Sequence, residues 1–188
     1  NSDMTNAWDI KVGDVDGDGD LDLLAGNSNQ VNRLYLSDGS GGFLSGVNIS
    51  SEGHDTASMS LGDVDRDGDI DLLVGNVGQS NRLYLGDGLG GFSSGTAIGP
   101  NDDKTRSTGL ADVDGDGDLD LLVVSSNSSQ SNRLYLGDGS GGFSSGTAIG
   151  PSADKTRSMG LADVVGDGDL DLLGGNSGQP NRLYFSNG

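Results

Sequence analysis

The chain has 188 residues, a formal net charge of −19 and 35 glycines, and 28 of its 29 acidic residues are aspartate. Asp and Gly rank low in helix interiors, which argues against a helical bundle, and so acidic a chain repels phosphate backbones, which excludes nucleic acid as a partner. The longest apolar run is the four residues 121–124, too short for a membrane-spanning helix, so no membrane insertion is expected.

After a polar opening, residues 1–6, the phrase Gly13-Asp14-Val15-Asp16-Gly17-Asp18-Gly19-Asp20-Leu21-Asp22-Leu23-Leu24 appears. It returns from Gly62, Ala111 and Ala162, with its first Asp at 14, 63, 112 and 163. A second phrase, Asn-Arg-Leu-Tyr followed by Leu or Phe, places its Arg at 33, 82, 133 and 182. The chain therefore divides into four repeats of about 49 residues, approximately 1–49, 50–98, 99–149 and 150–188. The third repeat carries two extra residues in the stretch 125–131, where an insertion marks a surface loop. Residues 86–122 and 137–173 differ at only five of 37 positions, which points to duplication.

Each repeat reads as four short strands, exemplified by the third. A first strand (105–113) precedes the Asp cluster and a second (119–124) follows it. The third covers 132–136, and the glycine-rich turn 137–142 leads into a fourth, 143–149. Four strands per unit at this period predict an all-β fold, a β-propeller of four-stranded blades. Within a blade Leu134 and Leu136 face one side and Arg133 and Tyr135 the other, so the Arg and Tyr rows are read as packing between blades. The last repeat stops after its third strand, and residues 1–6 are too short and polar to supply the missing one; the last blade is expected to be incomplete. Acid, glycine and few aromatics also suit a disordered chain. However, Leu, Ile, Val and Phe total 44 residues and fall at fixed places in the frame.

The aspartates are best explained by a cation. Five carboxylates within nine residues repel one another unless neutralised, and oxygens at alternating positions suit Ca²⁺, which takes six to eight of them in flexible geometry. The candidate ligands are Asp14, Asp16, Asp18, Asp20 and Asp22; Asp63, Asp65, Asp67, Asp69 and Asp71; Asp112, Asp114, Asp116, Asp118 and Asp120; and Asp163, Asp167, Asp169 and Asp171. Positions 1, 3, 5 and 9 would offer carboxylates, and position 7 (Asp20, Asp69, Asp118, Asp169) its backbone carbonyl. Glycine at position 6 permits the sharp turn. The fourth site has Val165 at position 3 and is expected to be weaker. Arg66 replaces the outward glycine at position 4 of the second. An EF-hand would need Glu at position 12, where Ala25, Val74, Val123 and Gly174 stand. Mg²⁺ demands a tighter octahedron, and zinc lacks its ligands in a chain with no Cys and one His. Nineteen of the 29 acids lie in these loops, and the ten others equal the Lys and Arg in number.

The phrase 111–122 followed by Asn132-Arg133-Leu134-Tyr135-Leu136 resembles the FG-GAP/VCBS repeat family, the integrin-alpha-like calcium-binding repeats, over essentially the whole chain. The resemblance implies a β-propeller, often seven-bladed, with calcium in the hairpin between a blade's first two strands. It also implies extracellular or cell-surface settings: adhesion, some lectins, surface proteins. Val74-Gly75-Asn76 stands where integrins have Gly-Ala-Pro, which places the chain nearer the VCBS branch, and four units stand in place of seven.

Catalysis finds little support, because it needs a positioned acid and base or an activated nucleophile. His54, the only histidine, is expected at the surface, with no partner identifiable from sequence. The chain is therefore read as no enzyme; a propeller-based polysaccharide-active enzyme is the remotest of three readings. The leading one is a calcium-stabilised extracellular repeat protein with a structural or adhesive role, self-associating or pairing with surface proteins through its incomplete blade. The other is a lectin with glycan pockets between blades. Lys104 with Arg106 and Lys155 with Arg157 either balance Asp103 and Asp154 or line a face for anionic sugars. Asn48 and Asn127 head N-glycosylation triplets.

Overall fold

The structure is a computed structural model that describes residues 6–100, 104–127, 129–151 and 154–186. Four antiparallel sheets follow one another along the chain. The first holds β1 (Ala7–Gly13), β2 (Asp22–Asn27), β3 (Arg33–Tyr35) and β4 (Val47–Asn48). The second holds β5 (Thr56–Gly62), β6 (Asp71–Asn76), β7 (Asn81–Tyr84) and β8 (Thr96–Ile98). The third holds β9 (Thr105–Ala111), β10 (Asp120–Ser125), β11 (Asn132–Tyr135) and β12 (Thr147–Ile149). The fourth holds β13 (Thr156–Ala162), β14 (Asp171–Asn176) and β15 (Arg182–Tyr184). Every strand pairs with its sequence neighbour, so each sheet is a meander, which suits a blade whose connections stay short. The fourth strand of a blade is shorter than its sequence suggests. Phe143 makes only an isolated bridge to Gly137, and regular pairing resumes at Thr147.

Because side chains alternate along a strand, each blade has two apolar faces, and successive blades press them together. Leu24 and Leu34 of the first blade meet Met59, Leu72, Val74 and Tyr84 of the second in one buried cluster. Leu73 and Leu83 of the second blade meet Leu121, Val123 and Tyr135 of the third in another. Leucine and tyrosine rows thus lie on opposite faces, and tyrosine is packing material at both joints. The third joint is looser: an open cleft of about 160 Å³ lies among Leu122, Leu134, Leu161, Leu172 and Tyr184.

Polar side chains tie the same joints. The Asn that opens each Asn-Arg-Leu-Tyr phrase accepts the backbone N–H that closes the second strand: Asn27 to Asn32 (2.9 Å), Asn76 to Asn81 (3.0 Å), Ser125 to Asn132 (3.0 Å) and Asn176 to Asn181 (2.9 Å). Two of these asparagines also reach the next blade: Thr105 Oγ1 donates to Asn81 Oδ1 (2.8 Å), and Asn132 Nδ2 donates to Thr156 Oγ1 (2.9 Å). Arginine fastens the connection between blades. Arg82 Nη2 pairs with Glu52 at 2.9 Å and Arg182 Nε with Asp154 at 2.5 Å. The partner of Asp154 is therefore an arginine of the following blade, while Asp103 lies outside the described residues.

Candidate metal centres

The aspartate phrases form the hairpins joining the first two strands of each blade. The turn depends on left-handed backbone at positions 4 and 6, as at Gly17 (φ 73°) and Gly19 (φ 93°). Arg66 adopts φ 61° at position 4 of the second loop, a conformation unfavourable for a residue with a Cβ. Its guanidinium reaches the next blade and pairs with Asp118 Oδ1 at 2.5 Å. The glycine-rich turn of the second blade also leans on the first loop, Gly90 N–H donating to Val15 O (3.2 Å).

Three loops bring three carboxylates together so that one oxygen of each lies within 4.8 Å of the others. The groups are Asp14, Asp16 and Asp18; Asp63, Asp65 and Asp71; and Asp112, Asp114 and Asp120. Asp22, Asp67 and Asp116 stand outside these triplets. Position 5 accepts the N–H of position 7 in all three loops, Asp18 from Asp20 (2.9 Å), Asp67 from Asp69 (2.9 Å) and Asp116 from Asp118 (2.8 Å). The position-7 side chains Asp20, Asp69 and Asp118 also lie outside the triplets.

Position 9 does more than the sequence suggests. Asp22, Asp71, Asp120 and Asp171 are each the first residue of a second strand, and all are buried. One oxygen accepts the N–H of position 2: Val15 to Asp22 (2.9 Å), Val64 to Asp71 (2.7 Å), Val113 to Asp120 (2.7 Å) and Val164 to Asp171 (2.9 Å). The other accepts an N–H just beyond the third strand, from Ser37, Gly86, Gly137 and Ser186 at 2.8 to 3.1 Å. This aspartate staples the loop to the sheet, and each oxygen keeps a lone pair for a cation. Burial pushes the Asp71 carboxyl up, helped by the charges of Asp65 and Asp67 and opposed by the N–H donors of Gly86 and Val64. Burial likewise raises Asp120, with Asp114 and Asp116 adding to it.

The residues present fit a hard dication. Asp14 Oδ1 and Asp63 Oδ1 are buried and accept no hydrogen bond, whereas their Oδ2 atoms take the N–H of Gly19 and Gly68. A buried unpartnered carboxylate oxygen beside two further carboxylates is costly unless a cation supplies the missing partner. In the third and fourth loops both oxygens of position 1 accept hydrogen bonds: Asp112 takes the N–H of Gly115 and Gly117, and Asp163 those of Gly166, Asp167 and Gly168. The donors to Asp163 hold its carboxyl below the ordinary value, and no triplet forms in the fourth loop among the described residues.

His54 is not the partnerless surface residue its sequence context suggests. It is largely buried, 3.4 Å from Glu52 Oε2, beside a cleft of about 220 Å³ lined also by Gln79, Ser80 and Arg82. Burial pushes the His54 pKa down, Arg82 adds to this, and Glu52 opposes it. A second cleft, of about 440 Å³, lies at the first joint between Asn27, Asn29, Gln30, Arg33 and Gly53. No described helix is long and apolar enough to cross a membrane.

The profile of the FG-GAP-like repeat matches residues 14–74, 63–123 and 112–174, and the chain belongs to this repeat family. No curated protein matches it. Among solved structures it is similar to an Agrocybe aegerita lectin described as specifically recognising non-reducing terminal N-acetylglucosamine. That match has 18% identity and a TM-score of 0.64, covering 91% of this chain and 48% of the lectin. BBS1N, solved in complex with ARL6DN, matches at 10% identity and a TM-score of 0.59, covering 92% of this chain and 51% of that one. The V. cholerae biofilm matrix protein Bap1 matches at 17% identity and a TM-score of 0.48, covering 90% and 28%. The likeness is one of fold, and the chain spans about half the length of the first two.

Proposed function

We propose that the chain is a calcium-stapled extracellular repeat scaffold, a run of propeller blades whose role is structural or adhesive. The observation that carries the reading is the pair of buried, unpartnered oxygens on Asp14 and Asp63, each within a carboxylate triplet. A bound Ca²⁺ would supply positive charge to these oxygens, and in the second and third loops, whose triplets include position 9, it would tie the start of the hairpin to its end. The chain's own contribution is to bring the three carboxylates of each loop together at the hairpin. Position 9 then passes the cross-link into the second and third strands. Extracellular calcium modules bind at about 10⁻⁴ to 10⁻³ M, which matches a calcium-rich exterior. Thermal melting and calorimetric titration with Ca²⁺, Mg²⁺ and EDTA test the reading. A calcium-selective rise in melting temperature supports it, and a melt indifferent to calcium refutes it.

A lectin is the second reading, favoured by the polar cleft among Asn27, Asn29, Gln30 and Arg33 at the first joint. Asparagine amides and an arginine fork supply donors and acceptors for sugar hydroxyls. A glycan array, followed by Gln30→Ala, tests it: specific signal lost in the variant supports a lectin, and a blank array leaves the scaffold reading to stand alone. Neither reading assigns a catalytic role to the Glu52–His54–Arg82 cluster.

A further inference from the structure

The connections that lead from one blade into the next share a frame. In each, the residue just before the first strand gives its N–H to a glutamine of the blade it enters: Asp55 to Gln79 (3.1 Å), Lys104 to Gln130 (3.0 Å) and Lys155 to Gln179 (2.8 Å). Its carbonyl accepts the N–H of the residue that follows that blade's second strand, Val77, Ser126 or Ser177. One residue earlier the connections part, for His54 stands where Asp103 and Asp154 stand. Asp154 is buried and holds Arg182 through Nε. Arg82, the same arginine of the second blade, takes its carboxylate from Glu52 instead, at 2.9 Å. Its Nε is buried and finds no hydrogen-bond partner among the described residues. The first connection thus puts a base where the fourth blade's connection puts an acid.

Residues 50–55 are clasped to both blades. Ser28 of the first blade donates to Asp55 Oδ1 at 2.6 Å, and the backbone of His54 bridges to Gln30. From the second blade come Val77, Gln79 and Arg82. The His54 side chain is only 13% exposed, and its Nε2 lies 3.4 Å from the Glu52 Oε2 that also accepts Arg82 Nη2. The charged groups bordering it are Glu52 and Asp55 on its own connection and Arg82 on β7. Tyr84, also on β7, stays neutral because burial raises its hydroxyl. Arg33 of the first blade lines the cleft beside Gly53 and directs its fork to Asn48 and Gly46 O. A proton on His54 would set a second cation beside Arg82 in a place shielded from water. Glu52, 60% exposed and already paired with the arginine, offsets one of the two charges and not both. We propose that residues 50–55 form an acid-released latch between the first two blades, closed while His54 is neutral and opened when it takes a proton. Burial and Arg82 lower the His54 pKa, and Glu52 opposes them. The closed latch is therefore fully favoured above the ordinary histidine value, about 6.5, and is lost as pH falls through it toward the lowered one. Opening exposes the clefts that Gly53 and His54 line. The aspartate hairpins lie at the other end of the first strands, so the latch stands apart from the metal loops.

His54 is the only histidine, so its imidazole gives one signal in an NMR titration of the whole chain. The titration runs from about pH 8 to about pH 5 at constant calcium, the range in which histidine changes charge. Amide hydrogen exchange of residues 50–55 is followed over the same range in the parent, His54→Gln and His54→Lys. Comparing proteins at each pH cancels the intrinsic pH dependence of exchange and any titration of the aspartate loops. The expected imidazole titrates below the ordinary value, and the parent's connection loses protection as it does so. Each pH unit between the closed and the ordinary value multiplies the opened fraction about tenfold. His54→Gln should keep its protection to the acid end of the range, and His54→Lys should lack it already at the alkaline end. Circular dichroism checks that each variant folds. If one does not, the parent still decides, because its protection must fall at the pH where the imidazole titrates. An imidazole titrating at or above the ordinary value, equal losses in the parent and His54→Gln, or a His54→Lys connection as protected as the parent's would overturn the proposal.

Discussion

Asp71 and Asp65 sit in the same triplet, yet removing each should give a different result. Asp71 is fully buried and accepts the N–H of Val64 at 2.7 Å and of Gly86 at 2.8 Å. Hydrogen bonds to a charged group contribute roughly 1.5 to 3 kcal/mol each, and the cost of burying the carboxylate offsets part of that sum. The net loss in Asp71→Ala is about 3 kcal/mol, with two buried N–H groups left without an acceptor. For a chain of this size that lowers the melting temperature by roughly 6 to 12 °C, and it does so even in EDTA. Asp65 accepts the N–H of Asp67 at a long 3.3 Å. Asp65→Ala should change the EDTA melt by no more than about 0.5 kcal/mol. In calcium at a hundred times the dissociation constant it should forfeit one site, about 2.7 kcal/mol. Differential scanning calorimetry of both variants, with and without calcium, reads all four values. An Asp71→Ala protein as stable as the parent in EDTA, or an Asp65→Ala loss equal in both buffers, would refute the division between staple and ligand.

The strain and the ion pair of Arg66 oppose each other. Arg66→Gly should be neutral to mildly stabilising, since relief of the left-handed backbone, roughly 1 to 2 kcal/mol, matches or exceeds the roughly 0 to 1 kcal/mol of the half-exposed pair with Asp118. Arg66→Ala keeps the strain and loses the pair, so denaturant melts should rank it below both. The pH dependence should be inverted by calcium. Burial raises Asp71 and Asp120, so the part of the stability linked to their protonation is full below the ordinary carboxylate value and is lost as pH rises through their raised values, while their N–H contacts persist. Turn donors lower Asp38, Asp87 and Asp138, whose contribution is present above the ordinary value and is lost as pH falls through their lowered ones. The melting temperature in EDTA should therefore peak near the ordinary value, about pH 4. Calcium should hold stability up toward neutral pH, and an EDTA melt that climbs steadily above that peak would contradict this.

The blade was legible in the sequence because it is written four times. Turn glycines, alternating strands and the leucine and tyrosine rows repeat in phase, so local and packing signals agree. The hairpin position of the aspartates was equally plain. Several features were less so, for a common reason: they depend on which neighbour a side chain meets. Position 9 reads as one more acid of a cluster, but as the first residue of a strand it points into the sheet and becomes a staple. Its place directly before two leucines was the available signal. The pairing of Asp154 with Arg182 spans 28 residues, from the loop entering the fourth blade to that blade's third strand, so nearby Lys155 is the misleading partner. His54 looked isolated because Glu52 and Arg82 reach it only once the second blade closes on the interblade loop. In the second and third blades the break before the fourth strand coincides with a left-handed glycine, Gly95 at φ 81° and Gly146 at φ 73°.

The central claim is that cations complete the aspartate loops, and calcium-dependent melting tests it most directly. Three triplets, each saturated to a hundred times its dissociation constant, should add about 8 kcal/mol, comparable with the whole stability of an ordinary domain. At that saturation, about 10 to 100 mM calcium for the affinity class above, the melting temperature should exceed that in EDTA by roughly 16 °C or more. Titration should count three strong sites, with the fourth loop weaker. Identical melts in calcium and EDTA would contradict the account at its foundation.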